Sequence, residues 1–238
     1  MANDIFHRKE IKYLITTQQK DSILPLLHTH MQSDKYNQNN KPYTICNLYL
    51  DSPCNELIIR SLEKPEYKEK IRLRSYGKVL ENDNVFLESK KKINNIVYKR
   101  RSVCTLKEAN NFLSSNIFPN NSKSNLQVLK EIQNTIKLYN LSPKVFISYE
   151  RFAFFEVNNF DFRVTIDTNI QARRNNLDLQ IEPSGTQLLS KDMWLMEAKA
   201  IKAFPLWFVN HLSENKIYSS SFSKYGTEYK NYIGDLHE

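Results

Sequence analysis

The sequence predicts an α+β protein, an antiparallel eight-stranded β-barrel with helices packed outside it. Three observations carry this expectation. Eight short segments alternate apolar with polar residues, as half-buried strands do. Six segments between them read as helices, several apolar enough to cover the outside of a barrel. On about six strands one face is mostly charged, which suits a wet, charged interior.

The strands are read at 7–15, 43–50, 70–76, 85–92, 96–103, 144–155, 160–167 and 194–200. The helices are read at 18–31, 54–62, 106–113, 125–139, 204–215 and 224–233. Pro25 lies inside the first helix and is a candidate kink. Leu126, Leu129, Ile132, Ile136 and Tyr139 fall on one stripe of the fourth. Tyr225 and Tyr229 are four apart and share a face of the last. The polar stretches 34–42 and 116–125 are loops. There is no internal repeat or long linker, so one domain over 1–238 is expected.

Composition excludes several classes. The 40% apolar and 12% aromatic content is enough to build a core. The four glycines are scattered, which rules out a glycine-rich dinucleotide loop and a P-loop. Any phosphate must then be held by side chains. Three cysteines without a CxxC pair argue against a disulfide framework or a zinc knuckle. His28 and His30 point to different helix faces, which argues against a shared metal. The N-terminus has no apolar leader region, and no run approaches the ~18 apolar residues of a membrane span. A cytoplasmic protein without a membrane span is expected. The net charge of +8 fits an anionic partner, whether nucleic acid, nucleotide, polyphosphate or acidic lipid.

The strand faces narrow that choice. Lys70, Arg72, Arg74 and Tyr76 share one face of KIRLRSY, and Arg8, Glu10 and Lys12 one face of HRKEIKYLI. Glu88 pairs in parity with Lys90, Tyr149 with Arg151, Glu197 with Lys199, and Asp161 with Arg163, Thr165 and Asp167. The bland interpretation is a solvated outer face over an ordinary core. Against it, these faces repeat Arg-x-Arg and Glu-x-Lys, and arginine suits bidentate phosphate contacts. The sharper interpretation is a cationic lumen that binds a phosphate chain together with a divalent metal. Glu10, Glu88, Asp161, Asp167 and Glu197 are the carboxylates available to that metal. Asp167 pairing with Arg163, and Glu88 pairing with Lys90 or a cross-strand arginine, stand beside the metal reading.

The ordered segments FHRKEIKYLI, NLYLDSP, KIRLRSYG, VFLESKKK, VYKRR, SYERFAF, DFRVTIDTNI, LMEAKA and SFSKYGTEY resemble the VTC domain of polyphosphate polymerases, within the triphosphate tunnel metalloenzyme (CYTH-like) group. The resemblance runs from about Phe6 to Tyr229. It implies an eight-stranded tunnel, Mn²⁺ or Mg²⁺, and transfer of the γ-phosphate of ATP to a growing polyphosphate chain. Arg72, Arg74, Lys90, Arg151, Arg163 and Lys224 would then act on the reacting phosphates. Arg8, Lys12, Lys99 and Lys199 would bind substrate, and Glu197 with Glu10 would bind metal. Strand parity leaves Lys99 open against Arg100 and Arg101; Lys99 is preferred because it heads the KRR unit. ATP and inorganic polyphosphate or pyrophosphate are the implied partners, with no specific nucleic acid.

One departure separates the branches of that group. Tunnel triphosphatases usually begin Glu-x-Glu-x-Lys; here the register reads Arg8-x-Glu10-x-Lys12. The change removes a carboxylate and adds a cation, which favours the polymerase branch. A tunnel triphosphatase and a non-catalytic polyphosphate binder are the rival functions, and a nucleic-acid module is a weaker fourth.

Overall fold

Local signals place the elements close to their expected positions. The computed structural model describes residues 5–6, 9–37, 41–63, 65–94, 96–120, 123–156 and 162–235. In order these form β1 (Ile5–Phe6), β2 (Lys9–Thr16), α1 (Thr17–His30), β3 (Gln32–Ser33), β4 (Tyr43–Asp51), α2 (Glu56–Leu62), β5 (Tyr67–Tyr76), β6 (Asn84–Ile93) and β7 (Ile96–Thr105). There follow α3 (Leu106–Ser115), α4 (Leu126–Tyr139), β8 (Ser142–Phe155), β9 (Arg163–Arg173), β10 (Thr186–Gln187), β11 (Met193–Ala200), α5 (Leu206–Glu214), β12 (Ser219–Ser220) and α6 (Lys224–Asp235). Thr16 with Gln19 and Thr105 with Glu108 form capping boxes that start α1 and α3 at the ends of strands. Asn116 and Asn140 adopt left-handed backbone where α3 and α4 stop.

Among the described residues all pairings are antiparallel, and they form one sheet of twelve strands. Its path is β1-β7-β6-β5-β4-β8-β9-β11-β2-β12, with β10 on β9 and β3 on β8. The path does not close, so the expected closed eight-stranded barrel is corrected to an open sheet. The reason lies at the two ends. Ser219 and Ser220 of β12 pair with Tyr13 and Lys12 on the outer edge of β2. Ile5 and Phe6 of β1 pair with Tyr98 and Val97 on the outer edge of β7. Backbone groups through which β2 and β7 would join are thus engaged by two-residue strands. The sheet still curls strongly, since Lys90 on β6 reaches within 3.6 Å of Glu10 on β2. The result is a trough.

Apolar packing holds the curl from outside. α3 and α4 bury Phe112, Leu129 and Ile132 against Ile71, Leu73 and Leu87 of β5 and β6. α1 and α5 bury Ile23, Leu27 and Phe208 against Ile15, Val164, Ile166 and Met196. Each such fully buried side chain contributes about 1.5–3 kcal/mol of transfer free energy. A third cluster fills one end of the concave face: Tyr49, Val145, Ile147 and Leu195 pack with Ile58 of α2 and Tyr225 of α6. No helix among the described residues is long and apolar enough to cross a membrane.

Candidate functional site

Register assembles the charged face. Directly opposed residues of an antiparallel pair lie on the same side of the sheet. Lys70, Lys90 and Lys99 form one such row across β5, β6 and β7, and Arg72, Glu88 and Arg101 form the next. On the other wall, Glu197 stands between Lys12 and Thr165, and Lys199 between Glu10 and Arg163. Arg151 of β8 opposes Asp167 of β9. Side chains two apart along each strand then point together into the concave face.

Three groups of ion pairs organise these charges. In the first, Arg72 Nε donates to Glu88 Oε2 at 2.8 Å and its second nitrogen lies 2.7 Å from the same oxygen. Lys99 Nζ is 2.8 Å from the other Glu88 oxygen. Arg74 Nε donates to Asn47 Oδ1 at 2.9 Å, and Arg72 and Arg74 also donate to the Tyr49 and Tyr149 hydroxyls. Burial alone would raise the Glu88 pKa. The Arg72, Arg74 and Lys99 charges outweigh it and hold the carboxyl well below its usual range.

In the second, Arg151 grips the fully buried Asp167 with two hydrogen bonds of 2.6 and 2.7 Å. Lys224 Nζ donates to the same carboxylate at 2.6 Å. Burial again opposes ionisation, but Arg151 and Lys224 keep Asp167 charged, and Asp167 and Glu197 in turn raise the Lys224 pKa against its own desolvation. In the third, Glu197 takes a hydrogen bond from Lys199 at 2.7 Å, with Lys12 at 3.7 Å and Lys224 at 3.8 Å. Glu10 lies 3.6 Å from Lys90, 3.9 Å from Lys12 and 4.0 Å from Lys199. Both carboxyls are held low by these ammoniums despite burial.

Three lysines, Lys70, Lys90 and Lys99, are pushed the other way by burial. Desolvation lowers Lys70 to about 8 and Lys99 to about 7, although the Glu88 carboxylate partly offsets the effect at Lys99. Tyr49 is lowered to about 8, since Arg72, Lys70 and Arg74 outweigh its burial. An anion entering the trough would therefore meet fixed guanidiniums beside ammoniums that gain charge when it arrives.

Lys224 owes its place to a buried anchor. Asp51, fully buried at the end of β4, accepts from the backbone of Leu57 and Ile58 and so caps α2. Its other role is to accept the Tyr225 hydroxyl at 2.8 Å. Arg174 holds α6 from the far side through a two-point bond to Glu228. These contacts aim the first residue of α6 into the trough.

Of the expected site residues, Glu10, Lys12, Arg72, Arg74, Lys90, Lys99, Arg151, Glu197, Lys199 and Lys224 meet in this network. Arg163 sits apart at the rim, 3.2 Å from Asp34. Asp167 pairs with Arg151, so the alternative that paired it with Arg163 is corrected. Glu88 pairs with Arg72 and Lys99. Arg8 and Asp161 lie outside the described residues. Of the KRR unit, Lys99 and Arg101 take the trough face, while Arg100 pairs with Glu131 of α4. Sequence reasoning passed over Asn47, Tyr49, Asp51 and Lys70 as site residues. Lys70 had the signal, its parity with Arg72; the other three sit in an apolar strand that gives none.

The donor set does not suit a resident metal. Among the described residues no group of three or more His, Cys, Asp or Glu side chains is placed to hold an ion. Glu10 and Glu197 are two carboxylates already surrounded by ammoniums, whereas a hard divalent ion needs several oxygen ligands. The expectation of manganese bound by protein carboxylates is corrected accordingly.

A family model for the VTC domain matches residues 7–233. The chain belongs to the VTC domain family. This places it in the CYTH-like triphosphate tunnel metalloenzyme superfamily, whose function is of the phosphotransferase type. A Trypanosoma cruzi relative, vacuolar transporter chaperone complex subunit 4, is 25% identical over 212 residues. That match takes in 72% of this VTC chain and spans only 26% of the relative's length. The crystal structure of a candidate adenylate cyclase from Bacillus halodurans superposes with a TM-score of 0.54 at 14% identity. It covers 93% of this chain and 96% of the other, a likeness of fold.

Proposed function

We propose that this VTC chain is a polyphosphate polymerase that transfers the γ-phosphate of ATP to the end of an inorganic polyphosphate chain. The observation that carries the proposal is the cationic excess of one concave face. Among the described residues, Lys12, Lys70, Arg72, Arg74, Lys90, Lys99, Arg151, Lys199 and Lys224 surround four carboxylates, Glu10, Glu88, Asp167 and Glu197. Phosphate oxygens entering that face would replace carboxylates as partners of groups already oriented. The family and the Arg8-x-Glu10-x-Lys12 register support the polymerase reading over a triphosphatase.

In this reading the triphosphate lies along Arg72, Arg74 and Arg151, with Lys90 and Lys99 on one wall and Lys199 and Lys12 on the other. The terminal oxygen of the acceptor chain attacks the γ-phosphorus. The bond to the β-phosphate oxygen breaks, and ADP leaves. The attacking oxygen is already anionic, so no general base is required. Rate acceleration comes from alignment and from neutralising charge on the reacting oxygens. Lys224, held by Asp167, would meet the acceptor's end. No step is routed through a protein-held metal.

The test is incubation of the purified chain with ATP and Mg²⁺, with and without short polyphosphate, reading polymer on a gel beside ADP and free phosphate. A polymer ladder with matching ADP is expected. Free phosphate without polymer would replace this reading with a triphosphatase. Tight polyphosphate binding with neither product would leave a binding module.

A further inference from the structure

At the rim of the charged face stands a cluster of aromatic rings. Tyr76 follows Arg74 by two residues on β5 and so shares its side of the sheet, about 7 Å further along. Tyr43 opposes Arg151 across β4 and β8. Tyr36, from the loop after β3, lies parallel to Tyr76 with centroids 5.0 Å apart and planes 9° apart, and 5.6 Å from Tyr43. Tyr36 is 45% exposed.

The loop that carries Tyr36 is anchored to the phosphate wall. The buried Asn37 amide donates to the Arg151 carbonyl at 2.9 Å and to the Lys41 carbonyl at 3.1 Å, and its oxygen accepts from Ala153 N. Asp34 meets the Arg163 guanidinium and accepts from Tyr36 N. These bonds hold a half-exposed ring against Tyr76, which stands two residues beyond Arg74, one of the guanidiniums that would take a triphosphate. Lys35 Nζ reaches only to 5.2 Å from the Tyr36 centroid, a contact an incoming ring displaces by rotation of a flexible side chain.

We propose that Tyr36, backed by Tyr76 and Tyr43, is the stacking platform for the purine base of the nucleoside triphosphate donor. This rests on the phosphate-binding reading of the trough. It assigns that site a base-recognising end, and hence a preference for a nucleotide over inorganic tripolyphosphate. Stacking tolerates any purine, so ATP and GTP should both benefit.

The test compares equilibrium binding of ATP, GTP and inorganic tripolyphosphate to the wild type and to Tyr36→Ala, Tyr36→Leu and Tyr36→Phe. The alanine and leucine variants should lose roughly tenfold in affinity for both nucleotides, with tripolyphosphate unchanged within twofold. Tyr36→Phe should bind as the wild type, because it keeps the ring. Leucine keeps apolar bulk, so a loss there reports the aromatic face and not collapse of the loop; circular dichroism and thermal melts confirm folding. Tripolyphosphate binding with no nucleotide-specific loss in the variants would overturn the platform alone. Failure of wild type to bind tripolyphosphate would overturn the phosphate reading and the platform with it.

Discussion

Lys90 and Glu10 lie at opposite ends of the curled sheet, with β5, β4, β8, β9 and β11 between their strands, yet their charged groups are 3.6 Å apart. The contact spans the seam that the backbone leaves open. Glu10 also faces Lys12 and Lys199, so one carboxylate holds three mutually repelling ammoniums near the seam.

Glu10→Gln should therefore tighten tripolyphosphate binding several-fold and lower thermal stability. The substitution removes a charge that repels phosphate and frees Lys90 and Lys199 to meet it. In the free protein it leaves those lysines uncompensated. Calorimetric titration and a thermal melt measure both effects. A weaker affinity would instead mean that the Glu10 carboxylate contributes to binding, as a ligand of a nucleotide-borne cation would.

The two arginines of the same wall should behave differently. Arg151→Ala leaves the fully buried Asp167 with Lys224 alone and should cost about 3–5 kcal/mol in urea denaturation. Arg163 is 41% exposed and, among the described residues, pairs with the loop carboxylate Asp34. Arg163→Ala should cost less than about 1 kcal/mol of stability, while still weakening phosphate binding. Equal stability losses would contradict the division of roles drawn here.

The charged face was legible because a strand fixes parity. Once KIRLRSY is a strand, Lys70, Arg72 and Arg74 must share a side, whatever the rest of the chain does. Pairing was less legible. Asp167 and Arg163 share parity, but four residues along a strand is about 13 Å, beyond an ion pair, so the cross-strand Arg151 wins. Closure was not legible at all. It turns on β1 and β12, two residues each and too short to show a period. Asp51 was hidden for another reason: its importance lies in a helix cap and a hydroxyl contact with Tyr225, 174 residues away.

Arg72 should matter most to turnover among the guanidiniums near Glu88. It makes two contacts to that carboxylate and one to Tyr49, so its fork is fixed before substrate arrives. Arg72→Ala should lower the polymerisation rate by about 10²–10³. Arg72→Lys keeps the charge but loses the planar fork, and should recover only part of the rate. Single-turnover assays with labelled ATP read the difference. Full activity in Arg72→Lys would reduce the residue to a point charge.

Binding should also depend on pH, through Lys99 and Lys70. In the free trough desolvation holds them at about 7 and about 8, so near pH 8 Lys99 is mostly neutral and Lys70 is half-charged. A phosphate chain favours their charged forms and raises both values. Binding at pH 8 must then take up protons, and affinity must fall as pH rises from about 7 toward 9, by at most tenfold per unit for each group. The phosphate itself cannot produce this sign, because cationic surroundings lower its pKa, so any proton it still carries is released on binding and not taken up. Titrating tripolyphosphate at pH 8 in two buffers of different ionisation enthalpy gives the proton count directly. Net uptake is expected, reduced in Lys99→Met. A proton count unchanged in Lys99→Met would mean that Lys99 does not titrate when the anion binds.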